Sequence, residues 1–204
     1  QTADEDAYFQ DVLGHCETPH SDNENRNANL RKACELLDGT ILQPGQELSY
    51  NQALGERTKE KGWLPAPAYS GTKLVDSPGG GICQVSSTLY LASVYAEMTI
   101  VERRNHGYPV SYIPLGMDAT VSWGFTDLKI RNDSPLPVKI HAEESDGYVR
   151  VSILGTETRD YDIEMSYTVG GRYVRTYMSK IDKKTGELIS KEPYALSGYI
   201  DDIY

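Results

Sequence analysis

Cys83 has the setting best suited to chemistry among the three cysteines of this chain, the others being Cys16 and Cys34. It follows the breaker run Asp76-Ser77-Pro78-Gly79-Gly80-Gly81, which reads as neither helix nor strand interior, and it opens a segment with helical spacing. A thiol at a helix amino end meets unpaired backbone N–H groups and the positive end of the helix dipole, both of which favour the thiolate. The same N–H groups suit the oxyanion of a tetrahedral intermediate, and glycines admit a substrate backbone closely. Nucleophilic catalysis also needs a base. His106, in Arg103-Arg104-Asn105-His106-Gly107, is the nearest candidate, with His141 as second choice. Arg103 and Arg104 have the fork geometry to bind a substrate carboxylate, and Asp118 or Asp127 could orient the histidine. A cysteine at a buried helix start is also an ordinary packing residue, so the constellation must be judged by geometry.

Cys16 and Cys34 read differently. A disulfide joining the lead-in to the first helix is one expectation for an exported chain, and buried free thiols are the other. His15 and His20 flank Cys16, but no Cys-x-x-Cys or His-x-x-x-His spacing supports a metal site, and no metal or cofactor is expected.

The elements that must position these groups follow from periodicity. Leu30, Ala33, Cys34 and Leu37 fall at i, i+3, i+4 and i+7, which predicts a helix over 26–38, capped by Asn23 or Asn25 and ended by Gly39. Val85, Leu89, Ala92 and Ala96, with Leu91, Val94 and Tyr95 between them, predict a second helix over 83–98 that is buried on most sides. Short runs at 40–42 and 47–50 flank a turn with Pro44-Gly45. The charged stretch 54–62 reads as a surface helical turn. Runs at 99–102, 108–113, 119–123, 126–131, 136–142 and 148–154 read as strands, with turns at 132–135 and 145–147. Three more, 161–167, 172–180 and 187–191, extend the β pattern. The expected fold is α+β, two main helices packed on a largely antiparallel sheet. Its parts are a lead-in (1–24, with a strand around 7–13), a catalytic domain (25–155) and a β-rich C-terminal extension (156–204).

Composition narrows the partners. With 39% apolar and 25% charged residues the chain is globular in type, and a net charge of −10 argues against nucleic acid and against an anionic membrane surface. No stretch reaches the roughly 18 to 20 apolar residues of a membrane span, since Glu97 interrupts the longest candidate. The chain opens on Gln1, so any membrane attachment is expected through an upstream anchor outside it.

The run from Pro78 through Cys83-Gln84-Val85-Ser86-Ser87-Thr88-Leu89-Tyr90, followed by Ile100-Val101-Glu102-Arg103, Asn105-His106, Pro109-Val110-Ser111-Tyr112, Asp118-Ala119-Thr120-Val121 and Asp127-Leu128-Lys129, resembles the VanW family. Asn25-Arg26-Asn27-Ala28-Asn29-Leu30, Asp38-Gly39-Thr40, Ser49-Tyr50-Asn51 and Gly55-Glu56-Arg57-Thr58 fit its leading half. The resemblance implies a bacterial, mostly Gram-positive setting outside the cell at the wall, linked to vancomycin-resistance clusters. It also implies a cysteine L,D-transpeptidase that acts on peptidoglycan stem peptides and makes 3-3 cross-links. Carried over, Cys83 is the acylated nucleophile, His106 the base and Asp118 the better orienting acid, with Gly80, Gly81, Gln84 and Ser86 beside the acyl site. Two other readings stand beside it: a papain-like peptidoglycan endopeptidase or carboxypeptidase, in which water is the acceptor, and a non-catalytic wall-binding module.

Overall fold

The computed structural model describes residues 6–70 and 73–203. Along the chain come β1 (Asp11–Pro19), α1 (Glu24–Leu37), β2 (Ile41–Leu42), β3 (Glu47–Ser49), α2 (Tyr50–Leu54), β4 (Pro65–Ser70), β5 (Lys73–Pro78) and α3 (Ile82–Tyr95). Then follow β6 (Thr99–Glu102), β7 (Lys129–Arg131), β8 (Val138–Ser145), β9 (Tyr148–Gly155), β10 (Tyr161–Gly170), β11 (Tyr173–Asp182) and β12 (Leu188–Gly198). The fold is α+β, with every strand pairing antiparallel.

The main sheet has the order β1-β9-β8-β2. Its strands alternate: Gly14, Cys16 and Thr18 of β1, Val138, Ile140 and Ala142 of β8, and Val149, Val151 and Ile153 of β9 point into the core. On that face α3 packs against β1 and β9, and α1 against β8. Every residue of α3 except Cys83 and Tyr95 is buried, so this helix is the centre of the molecule. Asn23 caps α1 by accepting the Arg26 N–H at 2.9 Å.

Several expectations are corrected. The lead-in strand runs over Asp11–Pro19 and is an edge strand of the main sheet, paired with β9. The two strands flanking Pro44-Gly45 are joined by the expected turn, with Gln46 N–H donating to the Gln43 carbonyl, but they enter different sheets: β2 pairs with β8 and β3 with β7. Pro65, Pro67 and Pro78 hid the β4–β5 hairpin, because proline is tolerated only where no ladder donor is needed and a two-stranded ribbon has such positions on both outer edges. Residues 108–113 and 119–123 form no strand. Their backbone instead crosses the amino end of α3, held by side chains: Ala119 donates to Ser87 Oγ and its carbonyl accepts from Ser86 Oγ. The turn at 132–135 joins two separate sheets, whereas Asp146-Gly147 closes the β8–β9 hairpin.

Cys16 and Cys34 are free, buried thiols, so the disulfide is not formed. Cys16 lies on β1 and Cys34 on α1 above β8, with β9 between the two strands. Two strand spacings, about 10 Å, exceed the Cα separation that a disulfide bridges. Burial pushes both thiols up to about 12.

The C-terminal strands form a meander, β10-β11-β12, whose Met165, Met178 and Tyr194 pack on the main core. Past the end of β12 the chain passes behind the loop that carries His106, where the Ile200 N–H donates to the Gly107 carbonyl.

Candidate active site

Cys83 occupies the second position of α3, with Gly81 as the cap residue. The Ile82 N–H donates to Gly79 and the Gln84 N–H to Gly81, and the intervening Cys83 N–H has no backbone partner among the described residues. Tyr50, fully buried at the start of α2, donates its hydroxyl to the Ile82 carbonyl at 2.8 Å and fixes the height of the helix end. Buried Asn29 of α1 clamps the glycine run from below, donating to the carbonyls of Leu64 and Gly80. The sulfur lies 3.5 Å from the Val121 backbone nitrogen and 3.7 Å from the Thr120 hydroxyl.

His106 is the chief influence favouring the Cys83 thiolate, and its ring nitrogen Nδ1 is 2.5 Å from Asp118 Oδ2. The same carboxylate oxygen accepts the His106 backbone N–H at 2.7 Å, so Asp118 fixes both the ring and its main chain. Burial disfavours the thiolate, but the His106 hydrogen bond and charge, with help from Val121 and Thr120, outweigh it and hold Cys83 below the ordinary thiol value. Burial opposes the imidazolium too, yet Asp118 and the Cys83 sulfur raise His106 to about 9. Burial would raise Asp118, and His106 and Arg103 more than reverse that, keeping it ionised. The arrangement can serve as nucleophile, base and orienting acid, with the thiolate and the imidazolium each favoured by the other.

Cys83 and His106 line a cleft of about 870 Å³, with Asp118 buried behind the histidine. Gly80, Gly81 and Gln84 line it beside Cys83. Gln84 is nonetheless committed: its amide donates to Thr18 and Pro19 and its oxygen accepts from Arg26, so it ties the end of β1 to the helix. Ser86 is fully buried beneath the helix and bridges the carbonyls of Cys83 and Ala119, away from substrate. Arg103 turns inward. Its guanidinium donates to the carbonyls of Asp118 and Gly116 and to Ser197, lies 3.6 Å from Asp118 and stacks on Tyr90, which places it behind the acid. Arg104 is exposed and does not line the cleft. Asp127 accepts from Ser49, Asn51 and Leu128 and so caps α2 rather than orienting His106. His141 pairs with Asp38 at the surface on β8.

The residues that the sequence reading missed are Arg26, Arg57, Thr120 and Tyr199. Arg26 and Arg57 line the cleft, Thr120 touches the sulfur, and Tyr199 donates its hydroxyl to Asp118 Oδ1 at 3.3 Å while accepting the Gly116 N–H at 2.9 Å. Tyr199 lies 81 positions from its partner, a separation no local pattern reports. The two arginines stand inside quoted runs, so their presence was visible but their direction was not.

Residues 25–154 match the family described as VanW like protein. YoaR, an uncharacterised protein of Bacillus subtilis, is 37% identical over 138 residues, which is 68% of this chain and 46% of YoaR. The vancomycin B-type resistance protein VanW of Enterococcus faecalis is 32% identical over 122 residues, 57% of this chain and 44% of its own length. The chain thus spans about half the length of the curated relatives it matches. No solved structure matches it. The matched segment runs from the start of α1 to the end of β9 and holds Cys83, His106 and Asp118 together, and the chain belongs to the VanW family.

Proposed function

We propose that this chain is a cysteine acyltransferase, an L,D-transpeptidase that forms 3-3 cross-links between peptidoglycan stem peptides. The observation that carries the reading is that Cys83, at the amino end of α3, and His106, held by Asp118, line one cleft, with His106 favouring the Cys83 thiolate. The name of the enterococcal relative, a vancomycin B-type resistance protein, supports a substrate in the cell wall. The reading places the chain outside the cytoplasmic membrane.

The Cys83 thiolate attacks the carbonyl carbon of an L,D amide bond, forming the C–S bond and an oxyanion that the Cys83 N–H and the helix end stabilise. Collapse breaks the C–N bond. His106 gives its proton to the departing amine of the terminal D-residue, leaving a thioester and a neutral imidazole. An amine of a second stem then attacks the thioester and loses a proton to His106, and the thiolate leaves. Asp118 holds the imidazole in line throughout.

Incubation with a muropeptide or a carbapenem is expected to give a covalent adduct by intact mass that Cys83→Ala lacks. If both proteins stay unmodified and inactive, the acyl-transfer reading is wrong. Products divide the remaining cases: cross-linked dimers mean transfer, and trimmed monomers alone mean that water is the acceptor. A Cys83→Ala protein with full function in cells assigns the chain to the wall-binding class instead.

A further inference from the structure

Arg26 and Arg57 reach the cleft from two different elements and meet at the glycine run. Gly79 and Gly81 have φ of 80° and 106°, and a Cβ on them would stand 2.7 Å from Arg57 Cγ and 2.8 Å from Arg26 Cγ. The alternate glycines therefore serve as seats for two arginine stems, on either side of Gly80 and just before α3. Both guanidinium groups are half-buried. Their hydrogen-bond partners are neutral: Arg26 donates to Gln84 Oε1 at 2.7 Å, and Arg57 to the Gly55 carbonyl at 2.9 Å and Asn51 Oδ1 at 2.7 Å. Arg57 also lies 5.7 Å from the ring centre of Trp123.

In a chain with 30 acidic and 20 basic residues, Arg31, Arg131, Arg150 and Arg159 all pair with carboxylates. Among the described residues neither Arg26 nor Arg57 has a carboxylate within ion-pair distance. Each guanidinium keeps N–H donors beyond those its neutral partners use. Desolvation pulls both guanidinium groups below their ordinary value. Glu56 lines the same cleft but is exposed and forms no ion pair with either arginine; it acts on Arg57 only from a distance, as do Asp127 and the Cys83 sulfur, so the wall sets two half-buried arginines against one exposed carboxylate.

We propose that Arg26 and Arg57 form a carboxylate-binding pair that seats a free carboxylate of the acyl donor beside the Cys83 sulfur. The inference rests on the acyl-transfer reading and specifies its donor. In a donor whose leaving group is a single D-amino acid, the terminal carboxylate lies one residue, about 3.5 Å of chain, from the attacked carbonyl. A site of this kind accepts stems that end in a free D-residue and disfavours bonds internal to a longer peptide. A carboxylate on the retained, acyl side of the stem offers the same chemistry, and amidating each carboxylate separately tells the two apart.

The first test needs no turnover. Cys83 in the full chain is alkylated with iodoacetate and with iodoacetamide, which differ in charge. The ratio of the two rates is expected to fall by about tenfold or more in Arg26→Gln and in Arg57→Gln. A ratio unchanged in both variants overturns the pair. Should either variant fail to fold, the wild-type protein still answers: an acylated dipeptide ending in free D-alanine is expected to slow iodoacetamide alkylation, and its C-terminal amide is not. Equal protection by acid and amide overturns the proposal. With stem peptides as donors, loss of thioester formation on amidating the leaving residue places the carboxylate on the leaving side, and loss on amidating the retained side places it there. Charge discrimination at Cys83 without any thioester would retain the carboxylate site and reject acyl transfer.

Discussion

Cys83 and Tyr95 stand at opposite ends of α3 and are the two residues of that helix that are not buried, but only Cys83 faces a proton acceptor. Its lowered pKa and the raised pKa of His106 define a window in which thiolate and imidazolium coexist. Below the window the sulfur is protonated and cannot attack. As pH rises through about 9 the imidazolium loses the proton that the leaving amine requires. Acyl transfer is therefore expected to follow a bell whose alkaline limb falls near 9, the limbs belonging to the coupled pair. Alkylation of wild-type Cys83 by iodoacetamide should show its inflection below the ordinary thiol value of about 8.5. His106→Ala leaves burial unopposed by the ring, so the inflection should move upward and the rate at neutral pH fall by about tenfold or more. An inflection that stays in place in His106→Ala would disprove the pairing.

At the scale of elements, the acid of the site is held by a segment distant in sequence. The residues after β12 contribute Tyr199 to Asp118 and Gly116, and Ser197 at the end of β12 accepts from Arg103. Tyr199→Phe removes one donor from the carboxylate and the acceptor of a buried N–H, with an expected stability loss on the order of 1–3 kcal/mol by denaturant unfolding. It also has a signature that packing alone lacks. A carboxylate relieved of one donor attracts the imidazolium proton more strongly, so the alkaline limb of the activity profile should move to higher pH. An unmoved limb would make Tyr199 a packing residue. The elements themselves were unevenly legible. The helices α1 and α3 announced themselves by spacing, and β6, β8 and β9 by short apolar runs. The loop across 103–123 read as two strands, because its apolar residues Val110, Ile113, Ala119 and Val121 pack on the core while its backbone is satisfied by Ser87 and by the Arg104 carbonyl rather than by a ladder.

Across the whole molecule the three thiols divide by burial rather than by pairing. Cys16 and Cys34 sit in the core with their thiols pushed up to about 12, whereas Cys83 opens to the cleft. Iodoacetamide is expected to label Cys83 alone in the native protein and all three cysteines after denaturation without reductant, as counted by intact mass. A denatured chain that takes one label would restore the disulfide. Charge divides in a similar way: the chain is acidic overall, yet the cleft presents Arg26, Arg57 and protonated His106 to a ligand.

The sequence singled out Cys83 and His106 as candidates through short-range signals, a helix start after glycines and a histidine at the entry to an apolar run, whereas Asp118 and Asp127 stood level until the family resemblance favoured Asp118. The sequence also announced the two long helices, α1 and α3, since period depends only on neighbours, but not the short α2. The tertiary structure alone decided the direction of long side chains. Arg103 and Arg104 were the arginines nearest His106 in sequence, but one is drawn behind Asp118 and the other faces solvent, while Arg26 and Arg57 enter the cleft. Where an arginine stem can lie depends on the space that distant residues leave, and here Gly79 and Gly81 leave it.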